Sequence, residues 1–336
     1  ESSPVRKSLC LLAVIASLVS LTACSSATSQ SQALASPGEC ADTSAGKASK
    51  AISVSGDFGS IPEVTFAKGK LAADATERTI VSKGDGEQVD PGDTTFVEMS
   101  IYNAVTGSIV AQTAYGASPA TAIVVNAQKY LKGLVRAVEC TTVGSRVAAF
   151  VTAGDGFGSA GSSDGTVQAD QPLVVVADVL STVHSDAKAD GVPQEPVAGM
   201  PAVELDTAGR PTVTIPEEPA PADLQVAVLK QGDGAVVQPD AEVIINYQGV
   251  NWRTGEVFDE SWGNGPTNFQ LSAVVKGFSS AIAGQHIGSQ VIAVIPPDLG
   301  YGPSGGNSQA GIEADDTIVF VIDILDASST TAPAAG

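Results

Sequence analysis

The chain has 336 residues, 43% of them hydrophobic, and it carries 37 acidic against 17 basic residues, a net charge of −20. This length is enough for two or three compact domains. The acidic charge disfavours binding to nucleic acid because it repels the phosphate backbone, and its scatter along the chain is typical of solvated surfaces rather than an acidic tail.

Residues 1–23 have the composition of a signal peptide. Arg6 and Lys7 precede an apolar stretch that is too short to span a bilayer, which needs about 20 apolar residues. The stretch ends in Leu-Thr-Ala-Cys at Cys24, which resembles the bacterial lipobox. A plain secretory signal and a buried helix are the alternatives. We expect an extracytoplasmic lipoprotein, anchored to the membrane through lipid on Cys24, with a flexible tether over residues 24–50.

Two cysteines remain outside the signal segment and the lipidated position. Cys40 and Cys140 form an even pair, which in an extracytoplasmic protein indicates a disulfide. Closing a loop of about 100 residues stabilises a fold by about 4 to 5 kcal/mol in the chain-entropy model. With only His184 and His286 available as further ligands, the cysteines make a poor zinc site. We expect neither a metal nor a cofactor.

The chain contains an internal repeat. Lys-Gly-Asp-Gly at 83–86 matches Gln-Gly-Asp-Gly at 231–234, an offset of 148. Gly-Phe-Gly at 156–158 matches Gly-Tyr-Gly at 300–302, an offset of 144. Because two repeats are too few for a solenoid, the pattern predicts two tandem domains of one fold.

Proline-rich composition marks the boundary between the two domains. We assign residues 51–183 to the first domain, 184–222 to a linker and 223–327 to the second domain. Seven prolines in the linker favour a semi-rigid spacer. Strand-like runs at residues 203–205 and 212–215 indicate that part of it leads into the second domain. The small, polar tail over 328–336 is expected to be disordered.

Periodicity in the second copy predicts a sheet with one short helix. Apolar residues alternate with polar ones at Val243, Ile245 and Tyr247, the period of a strand. Apolar residues at 275, 278 and 282 fall on one helix face, and β-branched runs at 291–295 and 317–325 predict two further strands. The fold class is therefore α+β, with an antiparallel sheet wrapped on one short helix in each copy.

Six motifs of the second copy resemble the FKBP-type peptidyl-prolyl cis–trans isomerases, in family order. They are Ile-Asn-Tyr-Gln-Gly at 245–249, Gly-Glu-Val-Phe-Asp-Glu-Ser at 255–261, Asn-Phe-Gln-Leu at 268–271, Val-Val-Lys-Gly-Phe at 274–278, Ile-Pro-Pro-Asp-Leu-Gly-Tyr-Gly at 295–302 and Thr-Ile-Val-Phe at 317–320. The resemblance implies isomerase activity and an apolar pocket between helix and sheet that accepts a proline ring.

By motif position the resemblance also implies the roles of individual residues. The catalytic residues would be Tyr247, Phe258, Asp259 and Tyr301. The substrate-binding residues would be Phe269, Val274, Val275, Phe278, Ile312 and Phe320. An isolated aromatic residue is more often ordinary core, and it is the clustering of these residues that favours a pocket. Trp262 in the following loop is interpreted either as a contact for client peptides or as an exposed residue without a partner.

The second copy departs from the family pattern at a few positions. Phe278 stands where the family usually has tryptophan, and Thr267 stands where an aromatic residue is usual. The flap over 305–311 lacks the family's histidine. These departures bear on the affinity for a macrolide ligand and on turnover more than on the fold.

The first copy has lost the polar groups of the pocket. Met99 or Tyr102 stands near the Tyr247 position, and Val-Ala at 110–111 replaces Phe-Asp. Leu134 replaces Phe278, and Phe157 replaces Tyr301 and removes its hydroxyl. We predict a non-catalytic first domain.

The expected function is isomerisation during the folding of exported proteins at the cell surface. The partners would be proline-containing unfolded or exported polypeptides, the membrane through Cys24, and a macrolide as a further ligand. The alternative is a non-catalytic, surface-anchored peptide-binding or holdase lipoprotein, because a fold alone does not determine activity.

Overall fold

The structure is a computed structural model that describes residues 40–41, 43–116 and 119–329. The expected signal peptide, the lipidation site at Cys24 and most of the expected tether lie outside the described residues, as do residues 330–336 of the expected tail. Within the described part, none of the helices is long and apolar enough to cross a membrane.

The described chain is built mainly from strands. The helices are α1 (Lys47–Lys50), α2 (Lys132–Val138) and α3 (Lys276–Ile282). The strands of the first half are β1 (Ser53–Ser55), β2 (Glu63–Thr65), β3 (Glu77–Ser82), β4 (Thr94–Asn103), β5 (Ile109–Gln112), β6 (Thr121–Val124), β7 (Arg146–Val151) and β8 (Leu173–Val183). Those of the second half are β9 (Val192–Pro193), β10 (Ala202–Leu205), β11 (Pro211–Thr214), β12 (Gln225–Gln231), β13 (Glu242–Asn251), β14 (Val257–Glu260), β15 (Thr267–Gln270), β16 (Gln290–Ile295) and β17 (Ile318–Ser328).

Two antiparallel sheets contain most of these strands. The first has the order β3-β7-β8-β4-β5, with β6 also paired to β4. The second has the order β14-β13-β17-β16-β12-β9, with β15 also paired to β13. The elements predicted in the second copy are present, and their observed bounds differ from the predicted ones by at most three residues.

The central strand pairs have the same register in both sheets. Strand β4 pairs with β8 from Thr94–Val183 to Asn103–Leu173, and β13 pairs with β17 from Glu242–Ser328 to Asn251–Ile318. The residue numbers of equivalent positions therefore differ by 148 between β4 and β13 and by 145 between β8 and β17. The internal repeat of the sequence corresponds to a repeat in the structure.

A short helix packs on the inner face of each sheet. Helix α3 buries Phe278, Ala281 and Ile282 in the core of the second sheet. Gly277 allows this close approach because a Cβ atom there would overlap the side chain of Ile295. Gly133 of α2 faces Val151 in the same way. Helices of seven residues are too short to be stable alone, so packing on the sheet holds them.

The expected tether ends earlier than predicted, because residues 43–50 belong to the first folded unit. The backbone N–H groups of Ala48 and Ser49 donate to Glu77 Oε2 at 2.8 and 2.9 Å, and both residues are buried. These bonds satisfy donors that a four-residue helix cannot satisfy internally. The structure also joins Cys40 to Cys140 in a disulfide with a Cα–Cα distance of 5.9 Å.

The segment expected to be a proline-rich spacer is instead folded onto the second sheet. Strands β10 and β11 form an antiparallel hairpin whose Val203 and Val213 pack on the outer face of that sheet, and β9 pairs with β12. Hairpin β1–β2 covers the first sheet in the same way. Prolines are tolerated here because edge strands leave backbone N–H groups unpaired.

The expected tail begins later than predicted. Ser328 is the last residue of β17, and its Oγ accepts a hydrogen bond from the backbone N–H of Ala120 at 2.8 Å. This bond joins the end of the second sheet to the first copy.

Candidate active site

The residues predicted to form the pocket lie together on the inner side of the second sheet. Nine of the ten belong to or pack against one apolar cluster. They are Tyr247, Phe258, Phe269, Val274, Val275, Phe278, Tyr301, Ile312 and Phe320. The tenth, Asp259, lies on β14 beside Phe258 and is hydrogen-bonded to Tyr247. Four strands, β13, β14, β15 and β17, thus converge on one region with helix α3 and the loop after β16.

The aromatic rings of this cluster contact one another mainly edge to face. The ring centre of Tyr247 lies 5.7 Å from Phe269, 6.3 Å from Phe278 and 6.1 Å from Phe320. Phe278 and Phe320 are 4.9 Å apart, and Phe258 lies 5.5 Å from Phe320. Such pairs are favourable beyond the area they bury, so the rings form a rigid apolar wall.

A glycine on β13 makes room for these rings. Gly249 follows Tyr247 by two residues and therefore faces the same side of the sheet. A Cβ atom at Gly249 would lie 2.5 Å from Phe258 Cζ and 2.8 Å from Phe320 Cε1. This glycine had no predicted role, although a glycine inside a strand is a signal of close packing.

Tyr247 and Asp259 form a hydrogen-bonded pair. The Tyr247 hydroxyl donates to Asp259 Oδ2 at 2.6 Å. Burial raises the pKa of Tyr247, and the hydrogen bond to Asp259 and its negative charge raise it further. Tyr247 therefore stays protonated and fixes the orientation of the Asp259 carboxylate.

Tyr301 places a second hydroxyl at the pocket. Burial raises the pKa of Tyr301, the charge of Asp259 adds to that effect, and a hydrogen bond with the Asn307 side chain opposes it. The backbones of Asn307 and Ile312 bond reciprocally at 2.8 and 2.9 Å, which closes the base of the flap. Asn307 therefore links the flap to the Tyr301 hydroxyl, a role that the sequence analysis did not assign.

The linker hairpin contacts the strand that carries Asp259. Arg210 Nε and Nη2 donate to the two carboxylate oxygens of Glu260 at 2.8 and 2.7 Å, and Gln248 Nε2 donates to Glu260 at 3.0 Å. Trp262 is half-buried and faces Gly209 at the hairpin turn. The interpretation of Trp262 as an exposed loop residue is therefore wrong.

In the first copy the equivalent positions carry apolar side chains. The shared register places Met99 at the position of Tyr247 and Val110 and Ala111 at those of Phe258 and Asp259. Met99, Val110, Leu134 and Phe157 belong to or pack against one apolar cluster. The hydroxyl and the carboxylate of the second copy have no counterpart at these positions.

A group of possible metal ligands lies away from the pocket. Atoms of Asp90, Asp93 and His184 come within 4.8 Å of one another. Asp93 accepts hydrogen bonds from the backbone N–H groups of Asp90 and Ser185, and His184 Nδ1 lies 3.0 Å from its Oδ2. These contacts connect the end of β8 to the turn before β4.

Comparison with known proteins assigns a family to the second copy. The profile of the family described as FKBP-type peptidyl-prolyl cis-trans isomerase matches residues 234–325. The "Probable FK506-binding protein" of Corynebacterium glutamicum is 38% identical over 120 residues, which cover 35% of this chain and 98% of that protein. The "FK506-binding protein" of Streptomyces anulatus is 37% identical over 119 residues, 34% of this chain and 95% of that protein.

A third relative is matched over only part of its own length. The "FKBP-type peptidyl-prolyl cis-trans isomerase FkpA" of Escherichia coli is 33% identical over 100 residues, 30% of this chain and 36% of that protein. The family match contains all ten residues of the candidate pocket. The chain therefore belongs to the FKBP-type peptidyl-prolyl cis–trans isomerases, with the family region in its second copy.

Proposed function

We propose that the second copy catalyses isomerisation by holding the proline ring of an X–Pro segment in the aromatic pocket around Tyr247. The observation that carries the proposal is the edge-to-face ring cluster with two polar groups, Asp259 and Tyr301, at its side. Phe278 forms the floor between Tyr247 and Phe320. A macrolide ligand would compete with substrate for the same pocket.

The chemistry of the reaction suits such a pocket. Rotation about an X–Pro bond has a barrier of about 18 to 20 kcal/mol because it breaks amide resonance. The twisted amide is less polar than the planar one. A dry aromatic wall therefore stabilises the transition state relative to the hydrated ground state, which is the requirement for catalysis.

The polar groups orient the substrate backbone. The Tyr301 hydroxyl donates to a carbonyl of the bound peptide, and its raised pKa keeps it protonated. Asp259, held by Tyr247, presents a carboxylate at the pocket edge. Neither group exchanges a covalent bond with the substrate, because rotation alone completes the reaction.

A pair of matched substitutions tests where catalysis takes place. In the full chain, Phe258→Ala removes one ring from the pocket wall and should lower kcat/KM on a chromogenic X–Pro peptide at least tenfold. Val110→Ala changes the equivalent position of the first copy and should leave kcat/KM unchanged. Equal losses in the two variants, or no loss in folded Phe258→Ala, would contradict the proposal.

We further propose that the protein acts on exported, proline-containing polypeptides outside the cytoplasm, with lipid on Cys24 as its anchor and a non-catalytic first copy. The Cys40–Cys140 disulfide supports an oxidising compartment, since cytosolic thiols are kept reduced. Expressed in a bacterial host, the wild type should partition into detergent and Cys24→Ala into the aqueous phase. The same partitioning for both would contradict the anchor.

A further inference from the structure

The two copies contact each other through equivalent positions. Phe96 and Ile244 occupy the same place in the repeat, and they are buried together in one apolar cluster. Ser181 and Asp326 are likewise equivalent, and the Ser181 hydroxyl donates to Asp326 Oδ2. A contact between equivalent positions is the property of a twofold interface, so the copies are related by an approximate twofold axis.

An approximate twofold axis gives the interface two equivalent grooves, and one of them is filled by the chain itself. Residues 184–190 follow β8 and run along this groove. The Ala187 carbonyl accepts from Asn246 Nδ2 at 2.8 Å, and the Ala189 N–H donates to Asp323 Oδ2 at 2.8 Å. The Ser185 N–H donates to Asp93 Oδ1 at 3.1 Å. Residues 184–187 form a turn, and residues 188–190 continue without regular secondary structure. A short irregular stretch whose bonded residues, Ser185, Ala187 and Ala189, have small side chains thus fits this groove.

The other groove is a cavity of about 800 Å³. Its lining includes Glu98 and Ala241, which are equivalent to Asn246 and Asp93 of the filled groove. Phe58 and Gly59 lie at one end, where the Gly59 N–H bonds to Asp178 as Ala189 bonds to the equivalent Asp323. The remaining lining residues are Phe96, Gly116, Ala120, Leu180, Ser181, Ala235, Val236, Gln238, Ile287, Asp326, Ala327, Ser328 and Ser329.

Charge and exposed apolar surface indicate what this cavity would bind. Its lining carries the carboxylates of Glu98, which is buried and accepts from the backbone N–H groups of Tyr115 and Gly116, and of Asp326, which accepts from Ser181. Among the described residues, the lining contains neither lysine nor arginine to balance these two negative charges. Phe58 and Val236 are 43% and 44% exposed at its edge. Acidic groups beside exposed apolar side chains favour a partner that is both cationic and partly apolar.

We propose that this cavity, the interdomain groove, binds a short client segment rich in small and basic residues. The client would lie along the groove as residues 184–190 lie along its twofold equivalent. The proposal rests on the proposed function, because the client is taken to be the unfolded polypeptide on which the isomerase acts. It adds a binding site that is separate from the proline pocket and that requires both copies. This second site would hold the client polypeptide while the proline pocket isomerises it.

The test uses the full chain and a proline-free probe, so that the proline pocket is not engaged. A fluorescein-labelled peptide of alternating alanine and lysine should bind with a saturable change in anisotropy, and the alternating alanine–glutamate peptide should not. Val236→Lys, at the groove, should weaken binding at least tenfold. Val197→Lys is the matched control, because Val197 is 54% exposed outside the groove and the charge change is the same.

The remaining outcomes separate this site from the isomerase pocket. Tyr301→Phe should leave the affinity for the alanine–lysine peptide unchanged whatever its effect on catalysis. Equal weakening by Val236→Lys and Val197→Lys would overturn the proposal, because general surface charge would then explain binding. Binding that is absent in the full chain and gained only after removal of residues 330–336 would also overturn it, since the chain's own segment would then be the occupant.

Discussion

The polar groups of the candidate pocket are few, and each has a defined partner. Tyr247 donates to Asp259, while Tyr301 is linked to Asn307 of the flap. Because the walls around them are apolar, a hydrogen bond from Tyr301 to the proposed substrate would act in a largely dry environment. Single substitutions at these atoms therefore measure how much the polar contacts contribute to catalysis.

Removal of the Tyr301 hydroxyl should slow isomerisation without unfolding the domain. Tyr301→Phe keeps the ring and deletes one hydrogen bond to substrate, worth about 0.5 to 1.5 kcal/mol, so kcat/KM should fall about three- to tenfold. The chromogenic peptide assay measures this, with Tyr102→Phe in the first copy as a control that should not change kcat/KM. Unchanged catalysis by folded Tyr301→Phe would show that the hydroxyl does not contact the substrate.

Gly249 should not tolerate a methyl group. Gly249→Ala places a carbon 2.5 Å from Phe258 Cζ, which forces the rings apart. We expect a loss of about 1 to 3 kcal/mol in the free energy of unfolding, the usual cost of overpacking, together with reduced activity. Denaturant unfolding and the peptide assay measure the two effects. Gly154→Ala is the control, because no atom lies within 4 Å of a Cβ there; equal stability of both variants would contradict the packing argument.

At this scale the sequence predicted a set of residues that lie together in the structure, but not the residues that support them. The resemblance to the family motifs was enough to nominate Tyr247, Asp259 and Tyr301, which the structure brings together with the other residues of the candidate pocket. Gly249 and Asn307 act through atoms that are distant in sequence. Their roles depend on the register of β13 against its neighbours and on the closure of the flap, which spacing alone does not contain.

Among the elements, the β10–β11 hairpin changes the boundaries of the enzyme domain. Val203 and Val213 cover the outer face of the second sheet, and Arg210 pairs with Glu260 on the strand that carries Asp259. Seven prolines made the segment resemble a spacer. The strand-like runs at 203–205 and 212–215 were the better indicator, because alternating apolar residues need a surface to cover.

A charge on the buried side of this hairpin should destabilise the second domain. Val213→Asp places a carboxylate against the apolar outer face of the sheet, so the free energy of unfolding should fall by about 2 kcal/mol. Val197→Asp, at a residue that is 54% exposed in the same segment, should change it little. Thermal unfolding followed by tryptophan fluorescence compares the two. Equal stability of Val213→Asp and Val197→Asp would contradict the packing of this hairpin on the sheet and favour a spacer.

Over the whole molecule, the repeat was predictable and the packing between its copies was not. Shared motifs at fixed offsets implied two copies of one fold, and the register of β4–β8 and β13–β17 agrees with that. The contact between Phe96 and Ile244 could not be predicted, since both read as ordinary strand residues. An apolar residue on the outer face of a strand indicates a covered surface without saying what covers it.

The interface between the copies should be more stable in mild acid. Burial raises the pKa of Asp326 above its ordinary 3.8, against the opposing effect of the Ser181 hydrogen bond. The folded state therefore binds this proton more tightly than the unfolded state, and the free energy of unfolding falls as pH rises from 3.8 through the raised value. Asp326→Asn lacks this loss, so its stability relative to wild type should increase as pH rises from 3.8 through the raised pKa of Asp326.

Unfolding in urea at several pH values measures this difference. Asp298→Asn, at an exposed position outside the interface, is the matched control for the removal of one carboxylate. A stability difference for Asp326→Asn that is independent of pH, or that decreases as pH rises, would contradict a buried carboxylate between the copies.

The central claim is that one copy of the repeat is the isomerase and the other is not, and exchange NMR on an X–Pro peptide tests it most directly. With the full chain present, the cis and trans signals of the peptide should exchange faster. The enhancement should disappear in a variant combining Asp259→Ala with Tyr301→Phe and persist in Phe157→Ala, at the equivalent position of the first copy. Enhanced exchange that survives the first variant, or is lost in the second, would contradict the account.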